Sequence, residues 1–411
     1  MMSGGRRTPL ELYVHVPFCV RKCAYCDFVS GPAGPEEMAE YVKALLAEIQ
    51  AAGRMEKVSG YEVVSVFFGG GTPSILETSD IEKILKSIRR AFFMGEGAEI
   101  TLEANPGTLT PDKLTAYRRA GINRLSLGLQ SSNDRELSLL GRIHSFDMFL
   151  ESYRMVRDAG FSNVNVDLMA ALPGQTEESF RKSLEAVAEL LPVPPEHISV
   201  YSLIIEEGTP FYAAYHEQAE ARAAGESDTG LLPSEEAERN MYYMARSLLK
   251  ERGYDRYEIS NFARLGYECR HNIGYWTGVS YLGFGISASS YMEGKRFINC
   301  EDRKVYTEAM AELEKNRDIE PALRTVRREE EIVTKDRAME EFMFLGLRMM
   351  CGVSEKRFME RFGVSMREIY GPILEKMERN GLMEWDGIRA SWKLTDAGID
   401  VSNYVLADFL L

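Results

Sequence analysis

The sequence predicts an α/β fold, a partial, TIM-like (β/α)6 barrel followed by a C-terminal helical, winged-helix-like domain. Three observations favour this fold class. Short β-branched or apolar runs alternate with amphipathic stretches through the first half of the chain. Polar groups stand at the ends of successive runs, which is where a barrel builds its site. Three helical segments and a glycine-bounded hairpin pattern close the chain.

The strand and helix candidates alternate in order along the barrel. The strand candidates are Glu11–Val16, Val63–Phe68, Glu99–Ala104, Asn123–Gly128, Asn163–Leu168 and His197–Leu203. The helix candidates cover residues 36–52, 78–92, 110–120, 133–140, 145–159 and 176–191. Thr110 before Pro111 is typical of a helix start, since a capping hydroxyl precedes a proline in the first turn. Thr176 is a weaker signal, because Ser179 stands where a capping box places an acid.

Three regions are expected along the chain. Residues 1–240 hold the barrel and its site, with an Ala- and Glu-rich surface insertion from Phe211 to Asn240. Residues 241–335 extend the barrel through a loop-rich stretch and a charged helical connector that begins near Arg303. Residues 336–411 form the winged-helix-like domain. Its predicted elements are helices at 336–350, 354–362 and 366–380 and a hairpin across Leu382–Leu394.

Charge and composition limit the possible functions. The chain has 49 Lys and Arg against 63 Asp and Glu, a net charge of −14, which argues against a nucleic-acid partner. The sequence contains no run of about 18 apolar residues, so it predicts no membrane-spanning helix. The polar N-terminus lacks the apolar segment of a secretory signal, so we expect a cytoplasmic protein with free thiols.

A cluster of three cysteines carries the strongest chemical signal. Cys19, Cys23 and Cys26 have the spacing C-x3-C-x2-C directly after the first strand. Three thiolates at this spacing suit a [4Fe–4S] cluster and leave one iron without a protein ligand. A structural zinc site normally shows two cysteine pairs, and no second pair is present. The open iron can bind the amino and carboxylate groups of S-adenosylmethionine (SAM).

Further polar groups follow the other strands. Each of them alone is equally well explained as a cap or an ion-pair residue. Together they predict one shared pocket at the carboxyl ends of the strands. The groups are the turn Gly69-Gly70-Gly71-Thr72, Glu103, Gln130, Arg142 and Asp167.

These residues resemble the radical SAM superfamily, and within it the branch of oxygen-independent coproporphyrinogen III oxidase and its relative, the HemW-type haem chaperone. The resemblance covers nearly the whole chain from Tyr13 onwards. It implies a radical SAM barrel with a helical C-terminal domain, and a [4Fe–4S] cluster and SAM as cofactors. The SAM contacts it implies are Tyr13, Tyr25, Gly70, Gly71, Thr72, Glu103, Gln130, Arg142 and Asp167.

Two features separate the chaperone from the oxidase in this branch. The oxidase has a further cysteine where this chain has Phe28, and it has a longer N-terminal extension. The segment from His271 to Trp276 matches the H-N-x-x-Y-W motif of the chaperone, which is associated with haem binding. From the residues alone, a structural histidine held by Asn272 is favoured over a haem ligand; the resemblance reverses that order.

Two further positions bear on which residues would bind haem. Cys269 is an alternative thiolate ligand for the haem iron. Ser289 stands where related proteins commonly have a histidine.

The resemblance implies a haem chaperone that binds haem, uses its cluster and SAM, and passes haem to recipient haem proteins. An electron donor and peripheral contact with membrane haem proteins belong to this interpretation. Whether the protein is an enzyme stays open, because the alternative is a coproporphyrinogen III oxidase that decarboxylates propionate side chains. A winged-helix regulator with a redox-sensing cluster is a third hypothesis, and the acidic net charge of −14 disfavours it.

Overall fold

In the computed structural model, residues 7–225, 230–315 and 320–410 are described. The predicted barrel strands are present and lie parallel to one another in chain order. The strands are β1 (Thr8–Val16), β2 (Tyr61–Gly70), β3 (Met94–Ala104), β4 (Arg124–Gln130), β5 (Val164–Ala170) and β6 (His197–Ser202). The helices between them are α1 (Pro35–Ala52), α2 (Thr78–Ala91), α3 (Pro111–Ala120), α4 (Asp134–Leu139), α5 (Phe146–Asp158) and α6 (Glu177–Ala188).

Hydroxyl groups cap the two helices whose starts were predicted from sequence. Thr110 Oγ1 accepts a hydrogen bond from Lys113 N at 3.2 Å at the start of α3. Thr176 Oγ1 accepts one from Ser179 N at 3.1 Å, and Ser179 Oγ accepts one from Thr176 N at 3.0 Å. The serine hydroxyl therefore completes the capping box, because it accepts a hydrogen bond as a carboxylate would.

The chain between the barrel and the C-terminal domain adds further strands to the same sheet. Its elements are α7 (Pro210–Ala223), α8 (Glu235–Glu251), β7 (Asp255–Arg256), β8 (Asn261–Ala263), α9 (Arg270–Thr277), β9 (Ser280–Phe284), β10 (Ser289–Met292), β11 (Lys295–Asn299), α10 (Arg303–Lys315), α11 (Glu320–Val326) and β12 (Arg327–Ile332). The sheet runs in the order β12-β11-β10-β9-β1-β2-β3-β4-β5-β6-β8-β7. Within the described residues, β12 and β7 are free edges, so the barrel is open on one side.

Two expectations for this region were wrong in part. The predicted loop-rich stretch contains β9, β10 and β11, and the predicted helical connector ends in a strand, β12. The sequence of β12 is Arg-Arg-Glu-Glu-Glu-Ile, and most of its residues are exposed. An exposed edge strand needs no apolar face and is commonly charged, so it lacks the alternation that reveals a strand. Residues 226–229 of the predicted insertion and 316–319 of the connector lie outside the described residues.

Side chains alternate between two faces along the barrel strands. The outward residues, such as Leu12, Val66 and Leu125, are buried in one large core with residues of the surrounding helices. The inward residues are polar and nonetheless buried. In the half of the barrel near the amino ends of the strands they are Glu11, Ser65, Glu99, Arg124, Asn165 and His197. The fold therefore encloses a polar interior that must be satisfied by internal partners or by ligands.

The C-terminal part of the chain has a hydrophobic core of its own, which includes Phe358, Tyr370 and Trp392. Three helices precede a hairpin, as predicted. The elements are α12 (Lys335–Gly346), β13 (Val353–Ser354), α13 (Glu355–Phe362), α14 (Met366–Arg379), β14 (Met383–Asp386), β15 (Ser391–Leu394), α15 (Asp396–Asp400) and α16 (Ser402–Ala407). Their strands form a separate sheet in the order β13-β15-β14. The exact domain boundaries stay a prediction.

Helix length and polarity bear on membrane insertion. Of the helices that the structure describes, none combines the length and the apolar character that crossing a bilayer requires.

Candidate cluster and cofactor site

The cysteine triplet lies on the loop between β1 and α1, at the carboxyl end of the first strand. Cys19, Cys23 and Cys26 are each half-buried and line one cavity of about 520 Å³. Backbone hydrogen bonds shape this loop, since Cys19 N donates to Gly31 O at 3.0 Å and Cys26 N donates to Cys23 O at 3.3 Å. The volume is within the range of ~300–1,000 Å³ that is usual for small-ligand sites.

Three thiols that line one cavity supply the protein ligands that a [4Fe–4S] cluster with one open iron requires. Among the described residues, no three His, Cys, Asp or Glu side chains converge on a point where they would hold one metal ion. A zinc ion needs its thiolates at about 2.3 Å, whereas a [4Fe–4S] cluster takes one thiolate on each iron. The other cysteines lie outside this cavity, since Cys269 and Cys300 are buried elsewhere and Cys351 is exposed. A cluster bound here would have one iron without a protein ligand.

The glycine turn after β2 packs directly against the cysteine loop. Gly70 has a φ of +105°, and a Cβ at this position would lie 2.5 Å from the His15 ring. A Cβ on Gly71 would lie 2.6 Å from the Phe18 carbonyl oxygen. Gly71 N donates a hydrogen bond to Val16 O at 2.8 Å. The close approach of the two loops therefore requires glycine at both positions.

A chain of hydrogen bonds joins two of the cysteines through side chains of three different loops. Thr72 Oγ1 donates to Cys19 Sγ at 3.7 Å, and Arg142 Nη1 donates to Cys23 Sγ at 3.7 Å. Asn105 connects them, because its Nδ2 donates to Thr72 Oγ1 at 2.8 Å and its Oδ1 accepts from Arg142 Nη2 at 2.7 Å. These side chains are positioned to orient the thiolates and to influence the electronic properties of a bound cluster.

The predicted acidic residues lie in the same cavity. Burial, reinforced by the charge of Asp167, raises the pKa of Glu103 to about 8. Burial also raises the pKa of Asp167, whereas the hydrogen bond that Asn165 Nδ2 donates to it at 2.7 Å lowers that pKa. Gln130 ends β4 with a φ of +76° and lines the cavity with Tyr25. The site thus offers the carboxyl oxygens of Glu103 and Asp167 and the side-chain oxygen of Gln130 as hydrogen-bond acceptors for a ligand.

Two predicted site residues, Tyr13 and His271, do not line the cavity. Both rings stack on Phe67, which does line it, with centroid distances of 6.3 Å and 5.1 Å. His271 is buried, with Nδ1 2.8 Å from Ser65 Oγ and Nε2 3.1 Å from the Tyr275 hydroxyl. Burial, with a contribution from nearby positive charge, lowers the pKa of His271 to about 3. His271 is therefore a neutral imidazole with both nitrogens engaged.

The other residues considered for the haem site are also placed by the structure. Cys269 is buried, its Sγ donates to Glu99 Oε1 at 3.5 Å, and burial raises its pKa to about 12. Asn272, which was expected to hold His271, lines the cavity instead. Ser289 is exposed on β10.

The H-N-x-x-Y-W motif forms α9, and α9 packs against inward residues of the barrel. The backbone N–H groups of Arg270 and His271 donate to the Glu99 carboxylate at 3.2 Å and 3.3 Å. A Cβ on Gly274 would lie 1.9 Å from Glu11 Oε1, so only glycine permits this contact. Because Glu11 lies toward the amino end of β1, α9 fills the end of the barrel opposite the cysteine loop.

Sequence reasoning missed several polar side chains of the cavity. Two sequence patterns could have found them. Some alternate with apolar residues along a strand whose other face is buried, and the others stand next to a predicted strand end. They are Asn105, Arg124, Ser126, Asn165 and Ser199.

Comparisons with known proteins agree with this geometry. Residues 13–187 match the model of the radical SAM superfamily, and residues 333–401 match the HemN C-terminal domain. The heme chaperone HemW of Bacillus subtilis is 35% identical over 97% of this chain and 98% of its own length. The heme chaperone HemW of Haemophilus influenzae is 32% identical over 98% of each chain.

A solved structure supports the fold. Coproporphyrinogen III oxidase (HemN) from Escherichia coli, a radical SAM enzyme, superposes with a TM-score of 0.79 and covers 98% of this chain and 90% of its own. Its sequence identity is 24%, so this similarity concerns the fold alone. Similarity over nearly the full length places the chain among the curated relatives. The chain therefore belongs to the radical SAM superfamily and, within it, to the HemW family.

Proposed function

We propose that this protein is a cytoplasmic haem chaperone that binds haem and delivers it to recipient haem proteins. The observation that carries the proposal is its similarity, nearly end to end, to proteins named heme chaperone HemW. Position 28 supports the chaperone over the oxidase. Phe28 is 57% exposed and lines the cavity beside the cysteines, where the oxidase pattern would place a further thiol.

The cofactors of this proposal are a [4Fe–4S] cluster on Cys19, Cys23 and Cys26, and SAM. Cys19, Cys23 and Cys26 would hold the cluster, which when bound would supply an open iron for SAM and one electron for reductive chemistry. The chain's own groups hold the ligand. Glu103 has a pKa of about 8 and carries a proton at neutral pH until a cation displaces it. The proposed SAM contacts are Tyr13, Tyr25, Gly70, Gly71, Thr72, Glu103, Gln130, Arg142 and Asp167.

Haem binding is proposed to use His271 as the iron ligand. Neutral imidazole is a common haem ligand, and the low pKa of His271, about 3, keeps it neutral. Coordination through Nε2 requires the Tyr275 hydroxyl to leave, since it lies 3.1 Å from that nitrogen. Cys269 is less suited, because burial raises its pKa to about 12 and disfavours the thiolate. We infer that α9 shifts when haem binds.

The partners of this function are haem, a recipient haem protein and an electron donor. The proposed recipients include membrane haem proteins that are contacted peripherally. The alternative function is coproporphyrinogen III oxidation, and the match of residues 333–401 to the HemN C-terminal domain is the observation that favours it.

One experiment separates the two functions. The anaerobically reconstituted protein is given haem in one arm, and coproporphyrinogen III with SAM and a reductant in the other. Stoichiometric haem binding without formation of protoporphyrinogen supports the chaperone. Turnover of coproporphyrinogen III to the doubly decarboxylated product would make this protein an oxidase and would overturn our interpretation of Phe28.

Asn105→Ala is expected to lower the midpoint potential of the bound cluster. Asn105 holds Thr72 and Arg142, which donate hydrogen bonds to two cluster thiolates. Such bonds stabilise the more negative, reduced cluster, and the loss of about 1 kcal/mol corresponds to about 40 mV for one electron. A redox titration followed by electron paramagnetic resonance measures the shift. Asn240→Ala, on the exposed face of α8, is the control, and an unchanged potential in Asn105→Ala would contradict the assigned role.

A further inference from the structure

Arg124 is the feature of the cavity that the proposed cofactors leave unexplained. It begins β4, its side chain is 2% exposed, and it lines the cavity. Its Nε has no hydrogen-bond partner. In the part of the chain that the structure describes, its guanidinium forms neither a hydrogen bond nor an ion pair.

A buried guanidinium without a partner is unusual, because the loss of hydration is normally offset by paired acceptors. Two other arginines of this barrel follow the usual pattern. Arg157 donates to Glu196 Oε2 at 3.0 Å. Arg142 donates to Gly128 O at 2.5 Å as well as to Asn105. Arg124 is therefore a buried cation whose Nε has no hydrogen-bond partner among the described residues.

The neighbouring polar groups are committed to other contacts. Asn165 Nδ2 donates to Ser126 Oγ at 2.8 Å and to Asp167 Oδ1 at 2.7 Å, while its Oδ1 lies 2.6 Å from His197 Nδ1. The Glu99 carboxylate accepts hydrogen bonds from the start of α9. The charges of Glu99 and Asp167 raise the pKa of Arg124 against the burial that lowers it, but in the described part of the chain the hydrogen bonds of both carboxylates go to other groups.

We propose that Arg124 binds the carboxylate group of a small acidic ligand at the closed end of the cavity. The planar fork of a guanidinium matches a carboxylate in a bidentate pair. Asn272, from α9, lines the same cavity and can add a neutral hydrogen bond. Arg124 lies six strand positions before Gln130, which is about 20 Å along β4. The carboxylate site is thus well separated from the cysteine end, where SAM is proposed to bind.

Two sources offer this chemistry, a free short-chain acid or a propionate side chain of a tetrapyrrole. The test uses the purified full-length chain, before and after reconstitution of the cluster. Propionate and propionamide are titrated at matched ionic strength, and protoporphyrin IX and its dimethyl ester are titrated by porphyrin fluorescence. The variants are Arg124→Gln, Arg124→Lys, which keeps the charge without the fork, and Arg119→Gln, which changes an exposed arginine of α3.

We expect at least one carboxylate probe to bind wild type about ten- to a hundredfold more tightly than it binds Arg124→Gln. Arg124→Lys should be intermediate, and Arg119→Gln should match wild type. The amide and the ester should not distinguish the variants. Discrimination between protoporphyrin and its ester identifies the propionate side chain as the source, whereas an effect confined to propionate identifies a free acid.

Stability separates this role from a purely structural one. The charges of Glu99 and Asp167 raise the pKa of Arg124 in spite of its burial, so Arg124→Gln should lower the unfolding temperature of the ligand-free chain, and Arg124→Lys, which keeps the charge, should lower it less. Full recovery of carboxylate binding together with the unfolding temperature in Arg124→Lys would show that Arg124 acts only as a counter-ion of the barrel acids and would overturn the proposal. Equal affinities of wild type and Arg124→Gln for both carboxylate probes, or no binding of either probe to wild type, would overturn it as well.

Discussion

Cys19→Ala, Cys23→Ala and Cys26→Ala are each expected to abolish the broad visible absorbance of the anaerobically reconstituted cluster. The three thiols line one cavity, and no further cysteine lines it to replace a lost ligand. A cubane with two protein thiolates would leave two irons open, which exposes the cluster to loss and oxidation. Iron and sulfide content and the visible spectrum, recorded for each variant, measure the effect.

Cys351→Ala is the matched control for these variants. Cys351 is an exposed thiol of the C-terminal part of the chain and does not line the cavity. Its replacement should leave the iron and sulfide content unchanged. Undiminished iron and sulfide in all three cavity variants would show that the cluster is absent from this site.

His271→Ala is expected to remove haem binding and to lower the free energy of unfolding by about 2–4 kcal/mol. The ring is buried, stacks on Phe67 and contacts Ser65 and Tyr275 through its two nitrogens. Tyr275→Phe separates the two effects, because it frees Nε2 without removing the imidazole. If Nε2 binds the haem iron, Tyr275→Phe should bind haem as tightly as wild type or more tightly.

Haem titration followed by the Soret absorbance, together with urea unfolding, measures both variants. His216→Ala is the control, since His216 is a half-buried histidine of α7 whose Nδ1 lies 2.8 Å from Tyr212 O. Equal loss of haem binding in His271→Ala and Tyr275→Phe would assign the effect to the packing of α9 rather than to an iron bond. Haem binding that survives in His271→Ala would exclude this ligand.

The barrel could be predicted because the pattern that indicates each strand lies within a short stretch of sequence. Each strand has one face against the helices, so an apolar residue recurs at every second position, and the strands stand out from the helices between them. The same rule failed at β12, an exposed, charged edge strand with no buried face. The helix start at Thr176 was undervalued, because Ser179 Oγ accepts the hydrogen bond that an acid was expected to accept.

The site was predictable only in part. The spacing of the cysteines and the position of the glycine turn after a strand predicted the site. Cys19, Cys23, Cys26, Gly70 and Gly71 line the cavity. The roles of Asn105 and Arg124 depend on which side chains meet them, and those partners come from other strands. His271 was predicted as a haem ligand from a motif. The motif does not show that α9 packs inside the barrel or that the Tyr275 hydroxyl contacts Nε2 of the imidazole.

The sequence by itself determined the α/β architecture and the three-thiol loop, because periodicity and spacing are properties of neighbouring residues. The radical SAM superfamily was indicated by the resemblance of its motifs, and the comparisons confirmed it. The tertiary structure alone decided which polar groups are satisfied. Contacts between residues far apart in sequence place Ser65 on Nδ1 of His271 and join Cys19 to Cys23 through Asn105, while Tyr275 of the same helix contacts Nε2. Among the described residues, Arg124 Nε stays buried without a hydrogen-bond partner. Whether a buried polar group is partnered depends on three-dimensional distance, which no local pattern records.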